Sequence, residues 1–93
     1  MTEKEQLWYL IDGLLQNEYD IVTFCDEFTR IYDLELDYDV LNSKEKEELG
    51  DLCDMAARFS EDIDDLNIPG VYFDEHAIRE KCSMLKIICR QNF

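Results

Sequence analysis

Four stretches of the chain repeat apolar residues at helical spacing, and one short stretch alternates them instead. The first helical stretch sets Leu7, Leu10, Ile11, Leu14 and Leu15 on one face, behind Thr2 and Glu5 in capping-box spacing. Gly13 inside it costs about 1 kcal/mol relative to Ala or permits a close helix contact. Asn17 and Asp20 mark a turn. Asp20 then reads as the N-cap of a second helix with the stripe Ile21, Phe24, Cys25, Phe28, Ile31 and Tyr32.

A third helix opens at Ser43, an N-cap candidate, with Glu45, Glu47 and Glu48 early in it, mostly where the helix dipole favours negative charge. Its stripe is Leu49, Leu52, Cys53, Ala56 and Phe59, and Ala56 with Ala57 leaves room for tight helix packing. The fourth follows Pro69-Gly70, with Asp74 as N-cap, Phe73 and Ile78 in hydrophobic-staple positions, and the stripe Ile78, Cys82, Leu85, Ile88 and Cys89. Arg79, Lys81, Lys86 and Arg90 accumulate towards its C-terminus, where cations suit the dipole.

The alternating stretch is Tyr32, Leu34, Leu36, Tyr38 and Val40, interleaved with Asp33, Glu35, Asp37 and Asp39. Period two suits a strand, but the only short partner in view is Val71-Tyr72-Phe73. A loop whose apolar side rests on the helices is favoured over a sheet; if extended, it aims its carboxylates outward. The expected architecture is all-α: a four-helix antiparallel bundle with two acidic loops, one domain over 1–93.

Composition supports a folded core. The chain is 46% hydrophobic, with three Gly and one Pro in 93 residues, a size at which roughly 60–65% of the unfolded surface is buried. No run approaches the roughly 18 apolar residues of a membrane span, and the N-terminus opens on charged residues, so the cytoplasm is the expected compartment. The four cysteines fall on apolar stripes without a C-x-x-C pair, as reduced core cysteines do; a disulfide framework or zinc site is the less favoured reading.

Charge changes the picture most. There are 23 Asp+Glu against 9 Lys+Arg, a formal net charge of −14. The excess is concentrated: no Lys or Arg occurs between Arg30 and Lys44, or between Arg58 and Arg79. Crowded like charges repel and destabilise the compact state. Such a surface repels nucleic acid and membrane and attracts a strongly basic protein. Charge runs often serve solubility alone, but here aromatics (Tyr38, Tyr72, Phe73) are interleaved with the acids, the mixture of a protein interface.

Catalytic chemistry finds little support. The single histidine, His76, falls in the first turn of the fourth helix, an exposed position, and Cys82 lies off its face. No nucleophile elbow, P-loop, zincin or dinucleotide-binding fingerprint is present. The run from Asp33 starts like a calcium loop but has Tyr38 where glycine is needed and Lys44 where the closing Glu belongs. An enzyme, a cofactor and a dedicated metal site are therefore not expected.

Three motifs resemble the bacterial self-protective colicin-like immunity family, which includes contact-dependent inhibition immunity proteins. They are Phe24-x-x-x-Phe28-x-x-x-Tyr32, Leu52-x-x-x-Ala56-Ala57-Arg58-Phe59, and Tyr72-Phe73-Asp74-Glu75 leading into Ile78-Arg79. The likeness covers roughly residues 7 to 88 in order and spacing. It implies a bundle that binds and neutralises a basic ribonuclease toxin, a tRNase among the best-known targets, as a monomer in a 1:1 complex. A tRNase holds phosphates with Lys and Arg, and carboxylates can occupy those cations. The resemblance implies contacts at the acids after Arg58-Phe59, Glu61 and Asp62, joined by Asp64 and Asp65; the acidic segments with their aromatics add Asp37, Asp39 and Tyr72 as second-rank contacts. Ala57 and Ser60 stand where such proteins sometimes carry acids. Arg58 is expected to bridge a carboxylate within the fold. The competing class is an acidic inhibitor of a basic nucleic-acid-binding protein, of anti-sigma or DNA-mimic type.

Overall fold

The computed structural model describes residues 2–68 and 70–90; Pro69 and the side chains of Tyr38 and Arg90, on which expectations were placed above, lie outside the described residues. The fold is all-α. Its helices are α1 (Glu3–Leu15), α2 (Ile21–Arg30), α3 (Ser43–Ala57), the single turn α4 (Ile63–Leu66) and α5 (Glu75–Arg90), with no strand among the described residues. No helix among them is long and apolar enough to cross a membrane.

The predicted stripes form the core. Leu7, Ile11 and Leu14 of α1, Phe24 and Phe28 of α2, Leu49 and Leu52 of α3, and Ile78, Cys82 and Leu85 of α5 are fully buried. Burying a side chain of this size contributes roughly 1.5–3 kcal/mol. Both α2 and α5 pack against α1 and against α3, so each long helix has two long neighbours. Trp8, which the stripe of α1 omits, is also buried. All four cysteines are free and buried on their stripes; burial pushes the Cys25, Cys53 and Cys82 thiols up to about 12.

Helix starts follow local chemistry. The Thr2 hydroxyl accepts the Glu5 N–H at 3.1 Å, and Asp20 Oδ1 accepts the Thr23 N–H at 2.8 Å. The cap of α3 is one residue earlier than expected: Asn42, not Ser43, accepts from the Glu45 N–H (2.8 Å) while Glu45 accepts from the Asn42 N–H (3.1 Å). An amide closes this reciprocal box as well as a hydroxyl does. At α5, Asp74 Oδ1 accepts the Ala77 N–H at 2.9 Å. Gly13 serves a side chain rather than a neighbouring helix. A Cβ there would come within 2.5 Å of the Tyr19 ring, whose hydroxyl donates to the Leu10 carbonyl of α1.

The alternating segment is not extended. Ile31–Glu35 continue α2 as one π-helical turn, closed by the Leu36 N–H donating to the Ile31 carbonyl at 2.9 Å, and Tyr38–Val40 form a 3-10 turn. A regular α-turn would set Glu35 over Ile31. The wider turn brings Leu36 in instead, buried at 9% exposure, and leaves Glu35 to pair with Arg30 at 3.2 Å. Burial thus overrides period two. Val71-Tyr72-Phe73 is likewise no strand: only Phe73 pairs, in an isolated parallel bridge with Phe59.

Two of the carboxylates early in α3, Glu45 and Glu48, are buried. Glu45 Oε2 lies 3.1 Å from Lys4 Nζ of α1, and Glu48 Oε2 accepts from Lys81 Nζ of α5 at 2.6 Å with Lys44 Nζ 3.5 Å from its other oxygen. The Lys81 hydrogen bond holds the Glu48 carboxyl below its usual range. Arg79, Lys81 and Lys86 of α5 accordingly reach neighbouring helices, Arg79 while also pairing with Glu75 of its own. Lys86 pairs with Asp12 at 3.1 Å, and Arg79 donates to the Leu14 carbonyl at 2.8 Å, beside the Asn17 N–H that the same oxygen accepts at the end of α1.

Candidate functional site

The chain leaves α3 and returns to α5 through a closed loop. At its neck the Ser60 N–H donates to the Phe73 carbonyl and the Phe73 N–H donates to the Arg58 carbonyl, both at 3.0 Å. Phe59 and Phe73 pack against the core beneath this pair. Residues 61–72 are therefore an excursion whose ends meet, the form of an Ω-loop. Gly70 is the position that needs glycine, with φ of +73°.

Inside the loop, Asp62 caps α4: its Oδ1 accepts the Asp64 N–H at 2.8 Å, and its carbonyl accepts the Leu66 N–H at 3.0 Å. Ser60, at a position the family resemblance marks only as lacking an acid, organises the turn. Its hydroxyl donates to Asp65 Oδ2 at 2.9 Å and accepts the Asp62 N–H at 3.1 Å. A serine between an aromatic and a run of acids is the sequence signal for such a turn.

Of the expected site residues, Glu61, Asp62, Asp64 and Asp65 lie together on this loop, the first three exposed and Asp65 half-buried, with Tyr72 exposed at its far end. Asp37 and Asp39 do not join them. Their 3-10 turn precedes α3 while the loop follows it, and 15 residues of helix span roughly 22 Å. There Asp37 Oδ1 accepts the Asp39 N–H at 3.0 Å, and both side chains are exposed.

The loop acids have no cation among the described residues. Of the eight cations with described side chains, Lys4, Arg30, Lys44, Arg58, Arg79, Lys81 and Lys86 pair with acids elsewhere, and no ion pair joins the eighth, Lys46 of α3, to the loop. Arg58, at the neck itself, turns back to Asp54 at 3.5 Å, the carboxylate bridge expected of it. The loop also exposes apolar side chains that charge reasoning does not register. Ile63 is 73% exposed, Ile68 47%, Val71 39% and Tyr72 37%. Acids without cations beside apolar side chains without cover can attract a basic protein surface and seal against it.

Other chemistry is sparse. His76 is exposed in the first turn of α5, with Nε2 3.7 Å from Glu80. Among the described residues, no three His, Cys, Asp or Glu are grouped to hold a metal ion. An open cleft of about 370 Å³ between α1 and α2 is lined by Gln6, Tyr9, Leu10, Glu27, Arg30 and Ile31. Its only cation, Arg30, is engaged by Glu27 and Glu35. Compared with known proteins, the chain matches no family model, no curated protein and no solved structure.

Proposed function

We propose that the protein is an immunity protein that binds and neutralises a cognate basic ribonuclease, a tRNase by the motif resemblance, by laying the 61–72 loop over its RNA-binding surface. The observation that carries this reading is the loop itself: four acids, no cation among the described residues, and exposed apolar side chains on a rigid neck. The finer architecture belongs to the same reading, with α1, α2, α3 and α5 as a four-helix antiparallel bundle and the acidic loops as its working ends. Carboxylates of the loop pair with the Lys and Arg that hold phosphates in the nuclease. The chain acts as a monomer in a 1:1 complex in the cytoplasm, needs no cofactor and performs no catalysis. Its net charge steers encounter with a cationic target, which suits an inhibitor that must act before RNA is cut.

The test is cleavage of tRNA by the purified C-terminal domain encoded immediately upstream, with and without one equivalent of this protein. Stoichiometric loss of cleavage is expected. Full cleavage with no complex on a sizing column would overturn the ribonuclease reading and leave an acidic inhibitor of a nucleic-acid-binding protein as the working alternative.

A further inference from the structure

We infer that the exposed apolar side chains of the 61–72 loop, Ile63 foremost, enter an apolar recess on the basic partner, with the loop acids as the charged rim around that contact. This rests on the reading of the partner as a basic ribonuclease. It adds a division of labour: the acids govern arrival and the isoleucine governs residence.

Ile63 is the starting point. It opens α4, a turn that contributes no buried residue, and at 73% exposure it stands between Asp62 and Asp64. Among the described residues its side chain is not one of those packed against the core, whereas the neck of the same loop places Phe59 and Phe73 there. Ile68, Val71 and Tyr72 extend the apolar content along the same closed excursion.

The flanking charge selects the occupant. A second copy of the chain would bring these acids against their own duplicates, each molecule carrying −14 overall and the loop no cation of its own among the described residues. A surface with Lys and Arg around an apolar hollow meets both features at once. Long-range attraction acts on association and is screened by salt, while desolvated apolar contact acts on dissociation.

The experiment measures association and dissociation rates against the upstream-encoded ribonuclease domain at several salt concentrations. The variants are Ile63→Ser, Ile63→Ala, the pair Glu61→Gln with Asp64→Asn, and Ile87→Ser, an equally apolar exposed position (59%) on α5. Circular dichroism and urea melts confirm that each is folded. Ile63→Ser is expected to speed dissociation roughly 10- to 100-fold, the equivalent of one well-buried apolar side chain, with the association rate and its salt slope unchanged. The charge pair slows association and flattens the salt slope, Ile63→Ala falls between Ser and wild type, and Ile87→Ser behaves as wild type. Wild-type dissociation in folded Ile63→Ser overturns the inference while leaving the ribonuclease reading intact. So does a wild-type dimer in sedimentation that Ile63→Ser abolishes, which would assign the recess to a second copy. Absence of any wild-type complex overturns both.

Discussion

At the start of α3, Glu45 and Glu48 are buried and held by Lys4, Lys44 and Lys81; past its end, Glu61, Asp62, Asp64 and Asp65 meet no cation among the described residues. The first pair ties α3 to α1 and α5. The second group caps and shapes its own loop and otherwise faces solvent. Between these extremes lies the segment before α3. There Glu35 is paired to Arg30, Asp33 Oδ1 accepts from Cys53 Sγ at 3.7 Å, and Leu36 is buried while Leu34 is 80% exposed. For Glu45 and Glu48, the role of the acid is set by the lysines that reach it from neighbouring helices, not by how many acids surround it.

The largest effect that tests this contrast is on stability. Glu45→Ala removes a capping-box arm and the ion pair between α3 and Lys4 of α1, and is expected to cost about 2–4 kcal/mol. Asp64→Ala is expected to stay within about 0.5 kcal/mol of wild type, as exposed surface substitutions do. Urea unfolding of both variants decides it, and equal losses would erase the distinction between the two groups. Glu45 and Glu48, being buried and paired, are unsuited as inert surface acids in a binding study.

Much of this was legible in the order of residues. Each long helix, its stripe and the caps at Thr2, Asp20 and Asp74 follow from spacing, because one apolar face and one side-chain oxygen suffice to place a helix. The burial of Glu45 and Glu48 is not legible in the sequence, because Lys4 of α1 and Lys81 of α5, which reach them, are distant in the chain. The absence of a strand over Tyr32–Val40 agrees with the loop favoured from sequence, but the π turn is not legible there, because its i to i+5 closure depends on the core that receives Leu36. At the loop, the acids were visible as a run without cations. Its closure was not, since the Phe59–Phe73 pairing is between residues far apart in sequence. Nor was the exposure of Ile63, because an isoleucine among acids reads as a core contact.

A smaller effect separates the same groups by pH. Lys81 holds the folded-state carboxyl of Glu48 below its unfolded value of 4.5. A depressed carboxyl contributes stability that is fully present above the unfolded value and is lost as pH falls through the folded one. Glu48→Gln keeps the side-chain shape and a hydrogen-bond acceptor, and is expected to cost roughly 1–2 kcal/mol at neutral pH. The difference from wild type should shrink as pH drops below 4.5, in unfolding curves of both proteins taken in parallel. A constant difference across that window would mean that Glu48 stabilises α3 by packing rather than by charge.

The smallest effect has the opposite sign. Exposed carboxylates crowded on one loop repel in water by roughly a few tenths of a kcal/mol per pair before screening. Glu61→Gln together with Asp64→Asn removes two such charges while sparing Asp62 and Asp65, whose oxygens hold the turn. The double variant is expected to be more stable than wild type by about 0.3–0.6 kcal/mol in roughly 10 mM salt, and equal to it near 1 M, where the Debye length falls to about 3 Å. Glu48→Gln remains destabilised at both salts, because a buried ion pair is screened far less. A gain confined to low salt would mean that the loop carries repulsion the fold does not need, which is the condition for carboxylates available to a basic partner. A loss would mean that Glu61 or Asp64 is already engaged within the fold, and the binding surface would then have to be sought among Asp37, Asp39 and the exposed Leu34 at the other end of α3.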